Sequence, residues 1–164
     1  MNPHAPKGQY PCYDDGDVWV IVTPTDRLKL HRHILRMSST KLYHELDSPG
    51  VRLNKRAIER NVNTRWRLHY ICRPEGYCLE NIPLTPEGEP FVNVGIANFN
   101  GREVPSEVRA LLMLLKSFYH IDLAIDRTSM ATIVTDVENL LDIAERFGSV
   151  SLNKHISHSL QSVS

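Results

Sequence analysis

Histidine side chains that could bind a metal ion occur in two closely spaced pairs in this chain. His31 and His33 are two residues apart, so on a helix they point in different directions and do not share a metal. His155 and His158 are three residues apart and can share a helical face, but no third ligand of suitable spacing lies near them. The two pairs therefore predict no metal site.

The cysteines and an acidic cluster near the N-terminus also lack the spacing of a metal site. Five residues separate Cys72 from Cys78, which is not the spacing of a zinc knuckle. Together with Cys12 they form an odd, scattered set that fits reduced thiols. The Asp-Asp-Gly-Asp cluster at 14–17 is not followed by the further ligands of a calcium loop. We therefore predict no metal and no cofactor.

Sequence motifs of enzyme chemistry are missing as well. The chain has no Gly-x-x-x-x-Gly-Lys-Ser/Thr loop, no Gly-x-Ser-x-Gly segment and no His-Glu-x-x-His segment. The adjacent Ser38 and Ser39 have no paired base, and helix capping explains them. We therefore predict that the chain is not an enzyme and takes no small-molecule substrate.

The elements that position these side chains begin with a predicted β-hairpin. The valines at 18, 20 and 22 share one side of the first strand and Trp19 and Ile21 the other, so we expect this strand to be covered on both faces. A Pro-Thr-Asp turn precedes a second strand, in which Leu28 and Leu30 alternate with basic residues. Beyond His31 the apolar spacing becomes helical, and serine at 38–39 predicts the cap of a second helix.

A second hairpin is predicted in the middle of the chain. Residues 48–63 are polar and basic, which indicates a loop or a weak, exposed helix. Apolar residues then alternate from Trp66 to Cys72, which predicts a half-buried strand, and residues 77–84 are its candidate partner. Residues 91–94 form a further short candidate strand.

Two longer helices are predicted after residue 104. Pro105 suits the first position of a helix whose apolar stripe over 108–118 is wide enough for a central place in the core. The second helix is predicted from a Thr135-x-x-Glu138 capping box to Gly148, which can take the left-handed position after the helix end. Its predicted core stripe includes Leu141.

The order of these segments resembles the BTB/POZ domain, a protein-interaction fold. The resemblance rests on the Asp-Val strand, second strand, His-Arg-x-x-Leu and Ser-x-x-apolar segments of 17–42, and on the helices ending in Phe-Tyr-His-Ile-Asp at 118–122 and Ala-Glu-Arg-Phe-Gly at 144–148. The segments Trp-Arg-Leu at 66–68 and Leu-Glu-Asn-Ile-Pro-Leu at 79–84 resemble those of fungal members with a long central insertion. The resemblance implies an α+β fold: a small β-sheet packed on a cluster of α-helices, with an inserted β-hairpin.

The resemblance also implies a domain organisation. Residues 1–13, which contain three prolines and one glycine, are expected to form a flexible N-terminal lead, and residues 14–156 the BTB/POZ-like domain. The insertion spans about 48–104. Residues 157–164 are expected to be a tail or the start of a further C-terminal region.

Many dimeric BTB domains have a charged pocket at the dimer interface, formed by the Asp of the first strand and the Arg that follows the His of the second. Asp17 and Arg32 occupy the matching positions here, so the resemblance implies a homodimer. Trp19 and His31 are further candidates for the same interface. The alternative is that Asp17 and Arg32 are exposed residues with no role in assembly.

Three functions are compatible with this resemblance. The first is a self-associating protein-interaction module that recruits a partner protein into a complex. The second is a substrate adaptor of a cullin-type ubiquitin ligase, which would bind a cullin scaffold. The third is recruitment of a transcriptional co-regulator, which would need an appended DNA-binding domain.

Charge and hydropathy limit the other classes of partner. Nineteen basic and nineteen acidic residues balance, so no overall field attracts nucleic acid or an anionic membrane. The basic segment 52–67 could bind nucleic acid, but a solvated loop is the favoured interpretation. No apolar run reaches the length of a membrane span or signal peptide. We expect an intracellular protein, in nucleus or cytoplasm.

Overall fold

The computed structural model describes residues 10–88, 94–99, 103–123 and 129–149. The elements in these ranges are β1 (Val18–Thr23), β2 (Asp26–Leu30), α1 (Arg32–Ser38), α2 (Thr40–Glu45), α3 (Lys55–Glu59), β3 (Trp66–Arg73), β4 (Gly76–Asn81), β5 (Gly95–Ile96), α4 (Ser106–Phe118) and α5 (Met130–Phe147). The expected α+β class is confirmed.

One five-stranded mixed sheet has the strand order β4-β3-β1-β2-β5. β1 pairs antiparallel with β2, as the predicted hairpin requires, and β3 pairs antiparallel with β4. β1 and β3 run parallel, with Val18 opposite Trp66 and Val20 opposite Leu68. The predicted second hairpin is therefore present, and its first strand lies inside the sheet next to β1.

The strand β1 is buried on both faces, as its sequence predicts. Val18, Val20 and Val22 belong to the main hydrophobic core. Trp19 and Ile21 point to the opposite face, where they form a second, smaller cluster with Leu84, Val51 and Val94. This second cluster is covered by the segments before α3 and after β4, so residues of the middle of the chain shield one face of the sheet.

The helices α1, α2, α4 and α5 cover the main core face. Ten of the thirteen residues of α4 are buried, which confirms its central position. The side chain of Ser39 accepts the N–H of Leu42 at 3.1 Å and so caps α2, as predicted. Asp136, buried on α5, pairs with Arg109 of α4 at 2.8 Å and joins the two helices.

The structure corrects the predicted start of α5. The helix begins at Met130, and the side chain of Ser129 accepts the N–H of Thr132. Thr135 lies inside the helix, where its hydroxyl donates to the carbonyl of Ala131 at 2.9 Å. A threonine hydroxyl bonded in this way cannot cap the helix, so the capping-box interpretation was wrong.

The C-terminal end of α5 lies where the sequence predicts, but the buried face of the helix differs from the predicted one. Gly148 has φ 65° and ψ 39°, the left-handed conformation expected after the helix end. Leu141, predicted in the core stripe, is 42% exposed because Leu140 and Ile143 take the buried face.

The outer edge of β4 is covered by groups from two helices. The Glu45 carboxylate accepts the N–H of Asn81 at 2.8 Å, and Arg146 Nε donates to the carbonyl of Tyr77 at 3.1 Å. Backbone groups at a sheet edge are otherwise open to pairing with another strand. Helices α2 and α5 therefore protect part of this edge.

Residues 10–13, expected in the flexible lead, pack against the domain instead. Tyr10 meets the ring of Phe99 edge-on at 5.3 Å, and the N–H of Tyr13 donates to Lys29 O at 2.9 Å. The rest of the expected lead, the candidate strand residues 91–93 and the histidines at 155 and 158 lie outside the described residues. Within the described helices, none has the length and apolar character of a membrane span.

Candidate functional site

Asp17 and Arg32, the charged pair expected at an interface, meet at the start of α1. Asp17 precedes β1, and its Oδ1 accepts the backbone N–H of Arg32, the first residue of α1, at 2.8 Å. The N-cap residue of this helix, His31, makes no side-chain capping bond. Asp17 therefore satisfies a free N–H of the helix from a neighbouring element, and its negative charge is favourable at a helix N-terminus.

The guanidinium of Arg32 points away from Asp17 towards the end of α2. Its Nε donates to the carbonyl of Leu46 at 2.8 Å and its Nη2 to the carbonyl of Ser48 at 3.4 Å. Its Cζ lies 4.6 Å from the centre of the Trp66 ring. A cation is favourable against the free carbonyls of a helix C-terminus and over an aromatic face. Asp17 and Arg32 are thus joined through a backbone N–H and not as a side-chain ion pair.

His31 connects three separate parts of the chain. Its backbone N–H donates to Tyr119 Oη at 2.8 Å, and its Nδ1 lies 3.0 Å from the same oxygen. Its Nε2 lies 2.8 Å from Oδ1 of Asp15. Because an ionised carboxylate only accepts hydrogen bonds, the bond to Asp15 places a ring proton on Nε2. In that tautomer Nδ1 accepts from the Tyr119 hydroxyl, whose oxygen accepts the backbone N–H of His31.

Aromatic packing surrounds this hydrogen-bonded chain. The rings of Tyr13 and Tyr119 stack with centres 4.9 Å apart, and the Tyr13 ring is tilted against His31 at 5.2 Å. Tyr119 directly follows the last residue of α4. The cluster of Tyr13, Asp15, His31 and Tyr119, which we call the His31 cluster, therefore ties the N-terminal segment, the start of α1 and the end of α4 together.

The electrostatics of the His31 cluster suit a structural tie. Burial raises the pKa of the Tyr119 phenol above its ordinary value. The hydrogen bond from His31 lowers the pKa of the Asp15 carboxyl. Tyr119 therefore keeps its proton at neutral pH and serves as donor and acceptor, whereas a nucleophile would need a lowered pKa.

Trp19, the fourth expected interface residue, lies on the other face of the sheet. Only 9% of its surface is exposed. The Arg27 guanidinium carbon lies 4.0 Å from the ring centre and Lys29 Nζ 5.4 Å from it, which is cation–π geometry. The sheet thus separates Trp19 from the other three expected residues, and all four side chains contact groups of their own chain. Their place at an interface between copies stays a prediction.

Local patterns did not reveal the role of Tyr119. It lies 88 residues from His31 along the chain, so only the packing of α4 against α1 brings the two together. Asp15 and Tyr13 were likewise missed as partners of His31. Among the described residues, no group of three or more histidine, cysteine or carboxylate side chains is placed to hold a metal, and Cys12, Cys72 and Cys78 are not joined by disulfides.

A stripe of exposed apolar side chains runs along α5 and is a second candidate site. Met130 is 74% exposed, Val134 45% and Leu141 42%. Their spacings of four and seven residues place them on one side of the helix. Glu138 and Glu145 each lie one turn beyond Val134 and Leu141, so carboxylates border the stripe. We call these five residues the α5 surface.

An exposed apolar residue on α3 lies in a basic segment of the chain. Ile58 is 62% exposed, and Lys55 lies one turn before it on the same side. Four further exposed basic residues, Arg52, Arg56, Arg60 and Arg65, lie within seven residues of Ile58 along the chain. We call Ile58 and these five basic residues the α3 surface.

Comparison of the chain with protein-family models, with curated proteins and with solved structures finds no match.

Proposed function

We propose that this chain is a protein-interaction module that associates with a second copy of itself. The observation that carries the proposal is the exposed stripe of Met130, Val134 and Leu141 on α5. Single exposed apolar residues are normal on a protein surface, whereas apolar side chains aligned along one helix face are typical of a binding surface. The resemblance to BTB/POZ domains, many of which are dimers, supports the same function.

The size of the stripe limits what it can contribute. Complete burial of one such side chain contributes about 1.5–3 kcal/mol. Because Val134 and Leu141 are already half-buried, covering the whole stripe contributes on the order of 3 kcal/mol. This contribution is smaller than the free-energy cost of the translational and rotational freedom lost on association. A stable complex therefore also needs favourable contacts of the polar groups around the stripe.

Sedimentation velocity over a wide range of protein concentration tests the proposal. We expect the sedimentation coefficient to rise with concentration, and Leu141→Asp to weaken association at least tenfold, which corresponds to about 1.4 kcal/mol. Thr135→Asp is the matched control, because it adds the same charge at an exposed position of α5 outside the stripe. A wild-type chain that stays monomeric at every concentration would overturn the proposal.

The same measurement on Asp17→Asn and Arg32→Ala tests the interface expected from the sequence. If the start of α1 forms the contact, these variants dissociate while Leu141→Asp does not. If the α5 surface forms the contact, Leu141→Asp dissociates and Asp17→Asn and Arg32→Ala do not. Circular dichroism of each variant excludes loss of fold as the cause.

A further inference from the structure

The balanced net charge of the chain hides two surfaces of opposite sign. Residues 52–65 contain five basic residues and one acidic residue, Glu59. The helix α5 contains four acidic residues and one basic residue, Arg146. Of the four acidic residues, Asp136 is buried, and Glu138, Asp142 and Glu145 are exposed. The α3 surface is therefore positive and the α5 surface negative.

Both surfaces have exposed apolar side chains flanked by charged residues, and the charges are of opposite sign. Each has an exposed apolar centre: Ile58 on α3, and the stripe that includes Leu141 on α5. On α3 the flanking side chain one turn away is Lys55, and on α5 it is Glu145. Apolar centres with complementary charged rims are typical of protein interfaces, because the rim charges steer and orient the partners.

The helix α5 and the segment that leads into α3 pack on opposite faces of the sheet. Leu140, Ile143 and Phe147 of α5 pack into the main core. The segment that leads into α3 packs Val51 against Trp19 in the second cluster. The N-cap residue of α3, Asn54, donates its N–H to Pro86 O at 2.9 Å, so α3 stays with the chain segment after β4. One copy thus presents its positive and negative surfaces on different sides.

We propose that the α3 surface of one copy binds the α5 surface of another. The proposal rests on the proposed self-association and specifies its surfaces. A symmetric contact of two α5 surfaces would place Glu138 and Glu145 against the same two carboxylates, and two α3 surfaces would oppose their cations. Only the mixed contact brings opposite charges together. Such a contact is head-to-tail, so it builds rings or open chains and not a closed symmetric dimer.

Two charge-reversed variants test the head-to-tail contact. The first is Glu138→Lys/Glu145→Lys on α5, and the second is Arg52→Glu/Lys55→Glu/Arg56→Glu, which leaves two cations against three carboxylates on the α3 surface. Acidic residues are favourable in the first turn of a helix, so the second variant keeps a helix-compatible sequence. In each variant the two surfaces carry the same sign. We expect each alone to be monomeric at concentrations at which the wild type associates.

Mixing the two variants at equal concentration restores opposite charges in each head-to-tail contact between unlike variants. We expect sedimentation of the mixture to recover association, and added salt to weaken both the wild type and the mixture. Asp14→Lys/Glu103→Lys is the control for the charge change, because both residues are exposed and lie outside the two surfaces. This control should associate like the wild type.

Each other outcome overturns a defined part of the proposal. If the α3 variant alone associates like the wild type, two α5 surfaces meet, or another surface forms the contact, and the head-to-tail arrangement is wrong. If the α5 variant alone associates like the wild type, the α5 surface does not form the contact. If the variants dissociate but their mixture does not recover, charge complementarity between the surfaces is refuted. A wild type that is monomeric throughout overturns the proposed self-association itself.

Discussion

Replacing Tyr119 with phenylalanine isolates the hydrogen bonds of the His31 cluster from its packing. The phenol oxygen accepts the backbone N–H of His31 at 2.8 Å and lies 3.0 Å from its Nδ1. Tyr119→Phe removes this oxygen and keeps the ring that stacks on Tyr13 at 4.9 Å. The start of α1 then loses a partner at its N-cap residue.

The expected cost follows from the burial of these groups. A buried N–H left without a partner costs about 1–3 kcal/mol. Because the His31 side chain is 25% exposed, water replaces part of the lost bonding, so we expect a loss of about 1–2 kcal/mol in the free energy of unfolding. This is a measurable fraction of the roughly 5–15 kcal/mol typical of a folded domain.

Urea unfolding followed by circular dichroism measures this loss. We expect a lower midpoint for Tyr119→Phe with an unchanged m value. Tyr13→Phe is the matched control: it keeps the same ring stack, and the structure records no hydrogen bond of the Tyr13 phenol to another described residue. Its free energy of unfolding should change by less than about 0.5 kcal/mol. Equal losses in the two variants, or no loss in Tyr119→Phe, would refute the role assigned to the phenol oxygen.

Two further predictions concern a backbone conformation and an ion pair. Gly148→Ala should lower the free energy of unfolding by about 2 kcal/mol or more, because φ is 65° and a Cβ would collide with Thr40. Gly95→Ala is the control, because the space around Gly95 is open, and it should be nearly neutral in the same urea titration. The bidentate contact with Arg73 lowers the pKa of Glu80 from 4.5 to about 2, so the pair stabilises the fold above pH 4.5 and this contribution is lost as the pH falls towards 2. Unfolding free energies measured across that range should therefore fall less for Glu80→Gln than for the wild type; equal slopes would contradict the assignment.

Features that depend on neighbouring residues were predictable from the sequence. The alternation around Val20 and Trp19 predicts a strand buried on both faces, and the structure places these residues in two separate cores. Ser39 caps α2 and Gly148 ends α5 in the left-handed conformation, as their local sequences indicate. Each of these features is set by side-chain period or by a bond within one helical turn.

The boundary and exposed face of α5 were predicted less well, although both concern a single helix. Thr135 and Glu138 have the spacing of a capping box, but Ser129 offers an equally suitable cap earlier in the chain. Leu141 has the character of a core residue, and its exposure depends on where the other elements lie. The spacing of apolar residues shows that one side of a helix is apolar. It does not show which residues on that side are covered by other elements of the fold.

The sequence by itself determined the first hairpin, the cap of α2 and the C-terminal end of α5, because strand alternation, turn residues and caps act over a few residues. Only the tertiary structure decided that β3 lies parallel to β1, that Tyr119 holds His31, and that Arg32 turns from Asp17 to the end of α2. It also decided that α5 and the segment leading into α3 pack on opposite faces of the sheet. These relations join residues far apart along the chain, and they arise only when burial of the shared core fixes how the elements pack.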